Sequence, residues 1–270
     1  MRARIYNKAE NAYYLSEVYA VINRAGDWYV VDDPHDKSRV ILVAYIDLTV
    51  ASYPVNVEVI DDNHIGEDFI YRDTPETEAI SACLTKSQKL HDFRGSSTIW
   101  NHPQALVDLL ETNSVEKSRL GIDTAYSTKL TGWHYIETQD DIDRLMEDFA
   151  GFVDSVIAEI NYLPGDHVSA DDIMHFDRHN KTVRVIFHSQ QTNGKGLEVI
   201  LLSPRMVQIV PPAENEIPGI SDEASLFLQN HMVFFYDTYQ DTIPESYDGT
   251  YFIAMGLRWR WIEQGNTAIP

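Results

Sequence analysis

The sequence predicts an α+β protein: antiparallel sheets with a few packed helices, arranged as two sheet-plus-helix units. Short runs rich in Val, Ile, Tyr, Phe and Trp recur along the chain and are joined by turn-forming residues, the pattern of antiparallel pairing. Three other segments carry helix-start chemistry. Between Asn113 and Gly132 the apolar periodicity gives way to Ser, Thr, Lys and Gly, which divides the chain into units 1–130 and 131–270.

In the first unit, residues 18–22 and 28–31 are β-rich runs separated by Asn23-Arg-Ala-Gly-Asp27, a five-residue connection that suits a hairpin. Residues 40–48 and 55–60 supply two further strands. Two helices follow. Thr74 can cap the first, with Pro75 at the first helical position and Glu76 and Glu78 near the positive end of the helix dipole. Pro103-Gln-Ala-Leu-Val-Asp-Leu-Leu-Glu111, after Asn101 and His102, repeats that grammar.

The second unit opens on the strongest local signal in the chain. Thr138-Gln-Asp-Asp141 resembles a capping box, Ile142, Leu145, Met146 and Phe149 fall at i, i+3, i+4 and i+7, and Gly151 supplies a stop. The spacing predicts a helix over 139–150, followed by strands at 152–162, 183–190, 197–210 with a break at Pro204, 225–237 with a bend at Asn230-His231, and 250–262. The expected arrangement is one helix on a curved antiparallel sheet.

Charge narrows the function classes. The 270 residues hold 21 Lys+Arg against 42 Asp+Glu, a formal net charge of −21. Backbone binding of nucleic acid depends on clustered cations, so nucleic acid and anionic membrane are excluded as partners, whereas a basic protein is electrostatically welcome. The acidity is spread over both units, with 20 acids to 13 bases in 1–130 and 22 to 8 in 131–270. Cys83 is the single cysteine, so there is no disulfide framework, and on the apolar side of the first helix it reads as a buried thiol. The first ten residues lack the apolar stretch of a signal peptide and the longest apolar run is 40–46, so the expected location is the cytoplasm, with no cofactor implied.

Four groups of residues could carry chemistry. His167, Asp171, Asp172, His175, Asp177 and His179 crowd one segment, and imidazole with carboxylate suits a transition metal; His175 and His179 would share a face if the segment were helical. A solvated polar loop explains the same composition. Asp154 alternates onto the apolar face of strand 152–162, where a carboxylate needs a partner. Arg258 and Arg260 share one face of the last strand opposite Trp259 and Trp261, and with Arg184 and His188 they could clamp a small anion or pair with the protein's own carboxylates. Tyr236, Tyr239 and Tyr247 lie in a turn-rich acidic stretch composed like a protein-binding surface.

The helix start at Glu137-Thr-Gln-Asp-Asp-Ile142, the run Val183-Arg-Val-Ile-Phe-His-Ser-Gln190, and Gly249-Thr-Tyr-Phe-Ile-Ala254 with Arg258-Trp-Arg260 together resemble a group of uncharacterised bacterial proteins, over residues 133–262. Val153 stands where that group has histidine, which argues against a His-Asp catalytic pair at Asp154. The resemblance brings no activity with it. With the acidity, it leads to a non-catalytic binding protein of immunity type that neutralises a basic protein partner; a metal-assisted hydrolase built on the His/Asp segment and a small-anion binder built on the strand arginines are the alternatives.

Overall fold

The computed structural model describes residues 2–7, 9–23, 27–44, 57–61, 91–92, 99–101, 114–120, 127–164, 167–168, 174–175, 181–211, 219–220 and 223–263. The helices expected to start at Pro75 and Pro103, and Cys83, lie outside them. The chain divides into two compact units, Met1–Thr128 and Lys129–Pro270.

The fold is β-rich, which corrects the α+β expectation: among the described residues there are seventeen strands and a single α-helix. The reason is local. Within those residues only 139–148 has a helical period, and nearly every other apolar segment alternates with the period of two that buries one face of a sheet.

The first unit holds β1 (Arg2–Asn7), β2 (Ala12–Asn23), β3 (Asp27–Asp33), β4 (Asp36–Ala44), β5 (Val57–Asp61), β6 (His91–Asp92), β7 (Ile99–Asn101) and β8 (Val115–Glu116). They form one sheet in the order β5-β1-β2-β3-β4-β8, with β7 parallel to β2 and antiparallel to β6. The expected hairpin is present, with Ile22 opposite Trp28, and β1 is a strand that the short apolar runs did not announce. Ala3, Ile5, Val18, Tyr29, Val31, Val57 and Val59 pack as its apolar cluster. The other face buries charge: Lys117 Nζ lies 2.6 Å from Asp32 Oδ1, which also accepts the Tyr19 hydroxyl at 2.8 Å.

The second unit holds β9 (His134–Tyr135), the helix α1 (Gln139–Asp148), β10 (Ser155–Leu163), β11 (His167–Val168), β12 (Met174–His175), β13 (Thr182–Ser189), β14 (Lys195–Gln208), β15 (Ser225–Gln229), β16 (Met232–Tyr236) and β17 (Tyr251–Glu263). Its main sheet runs β10-β13-β14-β17-β16-β15, with β9 on β17; β11 and β12 pair separately. In α1 the capping box forms as the sequence reads: Thr138 N donates to Asp141 Oδ2 at 2.8 Å and Asp141 N to Thr138 Oγ1 at 3.3 Å. Ile142, Leu145 and Phe149 are buried with Phe152, Phe187, Phe235, Phe252 and Trp259 in one core.

Three strand assignments change. The strand expected from 152 starts at Ser155, because Ala150, Gly151, Phe152 and Asp154 all take positive φ and wind the chain through a turn first. The bent strand at 225–237 is a hairpin of β15 and β16, since Asn230 (φ 50°) and His231 (φ 59°) form the left-handed two-residue turn that suits strand twist. β14 is continuous through Pro204 but carries a register shift there against β17, with Ser203 at φ 45°, the geometry of a bulge that bends a long strand.

Candidate functional site

Among the described strands β10 stands at the edge of the second sheet, and an open cleft of about 660 Å³ lies along it. One side is Val156 to Ile160; the others are 209–211 after β14, Gly219 and Ile220, and the segment from Asp237 to Thr250. Gly219 makes the approach possible. It adopts φ +131°, and a Cβ there would meet the Ser155 carbonyl at 2.7 Å, so the absence of a side chain lets Ile220 N donate to Ser155 O at 2.7 Å.

The Asp237 carboxylate builds the opposite wall. It accepts the Tyr247 hydroxyl and, through Oδ2, the Thr250 amide at 3.0 Å; Thr238 Oγ1 lies 2.8 Å from the same hydroxyl. Thr250 Oγ1 then accepts Val210 N at 3.0 Å, tying this wall to the end of β14. Gly249 is required here, since a Cβ would stand 2.6 Å from the Tyr247 ring and 2.7 Å from Asp237 Oδ1. Burial and then the hydrogen bond to Asp237 push the Tyr247 hydroxyl up to about 12.

The lining combines exposed apolar surface with acid. Ile209 is 49% exposed, Val210 45% and Val156 38%. Among the described lining residues three are carboxylates and none is Lys, Arg or His; Glu159 is ion-paired with Arg184 from β13 and Asp237 is hydrogen-bonded to Tyr247 and Thr250, which leaves Asp248. Such a surface suits an apolar ligand that carries positive charge.

The strand arginines form a different cluster. Register places Glu198 of β14 beside Arg260 of β17 and two pairs along from Arg184 of β13, on the same face. Glu198 accepts Arg184 Nε at 2.5 Å and Arg260 Nε at 2.6 Å, and Arg184 reaches Glu159 at 2.6 Å. Burial raises the Glu198 carboxyl, but the two guanidinium hydrogen bonds outweigh it and the net direction is downward. Arg258 and Arg260 both lie over the Trp133 ring, at 5.0 and 4.4 Å from its centroid. The place where a ligand anion would sit between Arg184 and Arg260 is thus held by the protein's own Glu198. His188 is half-buried opposite Gly196, where a side chain would press on its ring at 3.2 Å.

The remaining candidates scatter. Asp154 is exposed, at φ 53°, and accepts Gln191 Nε2 at 3.0 Å, so it does not lie on an apolar strand face. Tyr236 is buried, stacked on Tyr251 with centroids 5.9 Å apart, and belongs to the packing and not to a partner surface. Tyr247 is half-buried in the cleft wall, and Tyr239 is 60% exposed and bonded to Asp241. In the His/Asp segment, β11 and β12 set His167 opposite His175, so His175 lies in a strand pair and not on a helix; Asp171, Asp172, Asp177 and His179 lie outside the described residues. Among the described residues no group of three or more His, Cys, Asp or Glu is placed to hold a metal, and no helix is long and apolar enough to cross a membrane.

The cleft itself escaped sequence reasoning. Its one local signal is Ile209-Val-Pro-Pro212, an apolar run ending on two prolines, which marks a chain leaving a sheet with its apolar side chains unpaired. Glu198 and Trp133, the partners of the arginines, carry no signal at all without the strand register. Comparison with known proteins returns no matching protein-family model, no matching curated protein and no matching solved structure, so the functional reading rests on this geometry.

Proposed function

We propose that this chain is a non-catalytic cytoplasmic binding protein that takes a basic protein partner in the cleft beside β10, the immunity-type role of masking another protein. One observation carries the reading: the cleft presents the apolar side chains of Ile209, Val210 and Val156 at its surface, beside Asp237 and Asp248 and with no cation among its described lining residues. The net charge of −21 supports it, because a field of one sign speeds encounter with a basic surface and repels acidic ones.

The test is a binding panel of small basic proteins of known sequence, read by surface plasmon resonance at 50 and 300 mM salt with wild type and the double variant Ile209→Asp, Val210→Asp. A saturable complex with a particular member, weakened by salt and lost in the variant, supports the reading. Equal weak adhesion to every basic protein, unchanged by the variant, overturns it.

A further inference from the structure

The connection from β13 to β14 holds the one Asn-Gly pair of the sequence, Asn193-Gly194. Both residues are exposed, and the space where a Gly194 Cβ would stand is open to 4 Å. An asparagine followed by glycine can modify itself, because no side chain shields the next backbone nitrogen from the carboxamide carbon. Gly194 N attacks Asn193 Cγ and a C–N bond forms; the amide proton passes through water to the side-chain nitrogen, whose bond to Cγ breaks as it leaves as ammonia. Water then opens the cyclic imide at either carbonyl and gives aspartate or isoaspartate. The closed turn forbids the first step. Asn193 sits at φ 51° and ψ 40°, which sets Gly194 N nearly anti to the Asn193 Cβ across the Cα–C bond, whereas the five-membered ring needs the two eclipsed. Reaching Cγ takes close to a half-turn about that bond.

Bonds around the turn oppose that rotation. Ser189 Oγ accepts Gln191 N at 3.0 Å, and the Thr192 hydroxyl spans the turn within reach of Ser189 O at 3.1 Å and Lys195 O at 2.5 Å. Gln191 Nε2 adds its bond to Asp154, and from Gly196 onward β14 is paired with β13. We propose that Asn193 is a modification site gated by this turn: the carboxamide persists while the end of the hairpin is closed, and each opening commits a fraction of it to aspartate or isoaspartate. The two products differ in consequence. Aspartate suits a left-handed position and keeps the turn. Isoaspartate puts an extra carbon into the main chain between Thr192 and Lys195, which the hydroxyl bridge between them does not span.

The experiment incubates the full chain at pH 8, folded in buffer or unfolded in urea, and follows the peptide that contains Asn193 by mass spectrometry after digestion. Loss of ammonia at Asn193 is expected to be at least about tenfold slower in the folded chain, as for a reaction that proceeds only from an open minority. Thr192→Val removes the hydroxyl bridge and should raise the folded-state rate about threefold or more, leaving the rate in urea within about twofold. The isoaspartate form, separated by ion exchange, should exchange its Gly196 and Leu197 amides faster than Asn193→Asp does. Equal rates in the folded and unfolded wild type overturn the gate, and an unmodified Asn193 in urea overturns the site; neither result depends on the variant. A folded Thr192→Val, verified by circular dichroism, that modifies no faster than wild type overturns the role given to the turn. Identical exchange in the isoaspartate form and Asn193→Asp overturns the difference between the products.

Discussion

Glu198 holds two arginines with one carboxylate, Arg184 through Oε1 and Arg260 through Oε2, and is 4% exposed. Its removal leaves two guanidiniums crowded on one sheet face without their shared acceptor. We expect Glu198→Gln to lower stability at neutral pH by about 1–3 kcal/mol, read as a shift in chemical denaturation midpoint. The pH dependence has a definite sign. A carboxyl held below its ordinary value in the folded state stabilises the fold above the unfolded pKa, and that contribution disappears as pH falls through the folded value. The gap in Tm between wild type and Glu198→Gln should therefore close on acidification below about pH 4. Tyr247 behaves oppositely. With its hydroxyl pushed up to about 12 against an unfolded value of 10, the folded state favours the neutral phenol, so stability present below pH 10 is lost as pH rises towards 12. Tyr247→Phe should flatten that alkaline decline in a series of thermal melts, at the cost of about 1 kcal/mol at neutral pH for the unmade bond to Asp237.

At the scale of the element, α1 is short, and its first turn depends on the reciprocal bonds between Thr138 and Asp141. Thr138→Ala should cost about 1 kcal/mol in urea unfolding, and Thr138→Ser should recover most of it. The Gly219–Ile220 segment depends on a different device, the close approach of a glycine to the β10 backbone. Gly219→Ala places a methyl group against the Ser155 carbonyl and should break the Ser155–Ile220 bridge. Hydrogen exchange at the Ser155 and Ile220 amides would then be faster in the variant, with the Leu197 and Val199 amides of central β14 unchanged. The elements differ in how far their own residues announce them. The capping box and the i, i+3, i+4, i+7 stripe are complete within twelve residues, so α1 is readable locally. The delayed start of β10 is not, because its left-handed positions include Ala150 and Phe152, residues that ordinarily avoid that region, and contacts from far along the chain hold the turn: Phe152 packs in the core and Ala224 N donates to Gly151 O at 2.9 Å.

For the whole molecule, each unit has its own apolar cluster, that of the second running from Ile136 to Trp259. We expect residues 129–270 produced alone to unfold in one cooperative transition by circular dichroism; a non-cooperative melt would mean that the core of this unit is incomplete without the first 128 residues. The sequence by itself determined most of the strand-forming segments though not β1, the capped helix, the hairpin across Ile22 and Trp28, and the acidic field, because periodicity, caps, turns and net charge are properties of neighbouring residues or of simple sums. The tertiary structure alone decided that sheets dominate the described chain, that Glu198 meets Arg260 from 62 positions away, and that β10 stands at the edge of the described strands beside Ile209 and Asp237. Strand order and register bring together residues far apart in the chain, and no local spacing encodes where in a sheet a strand lies.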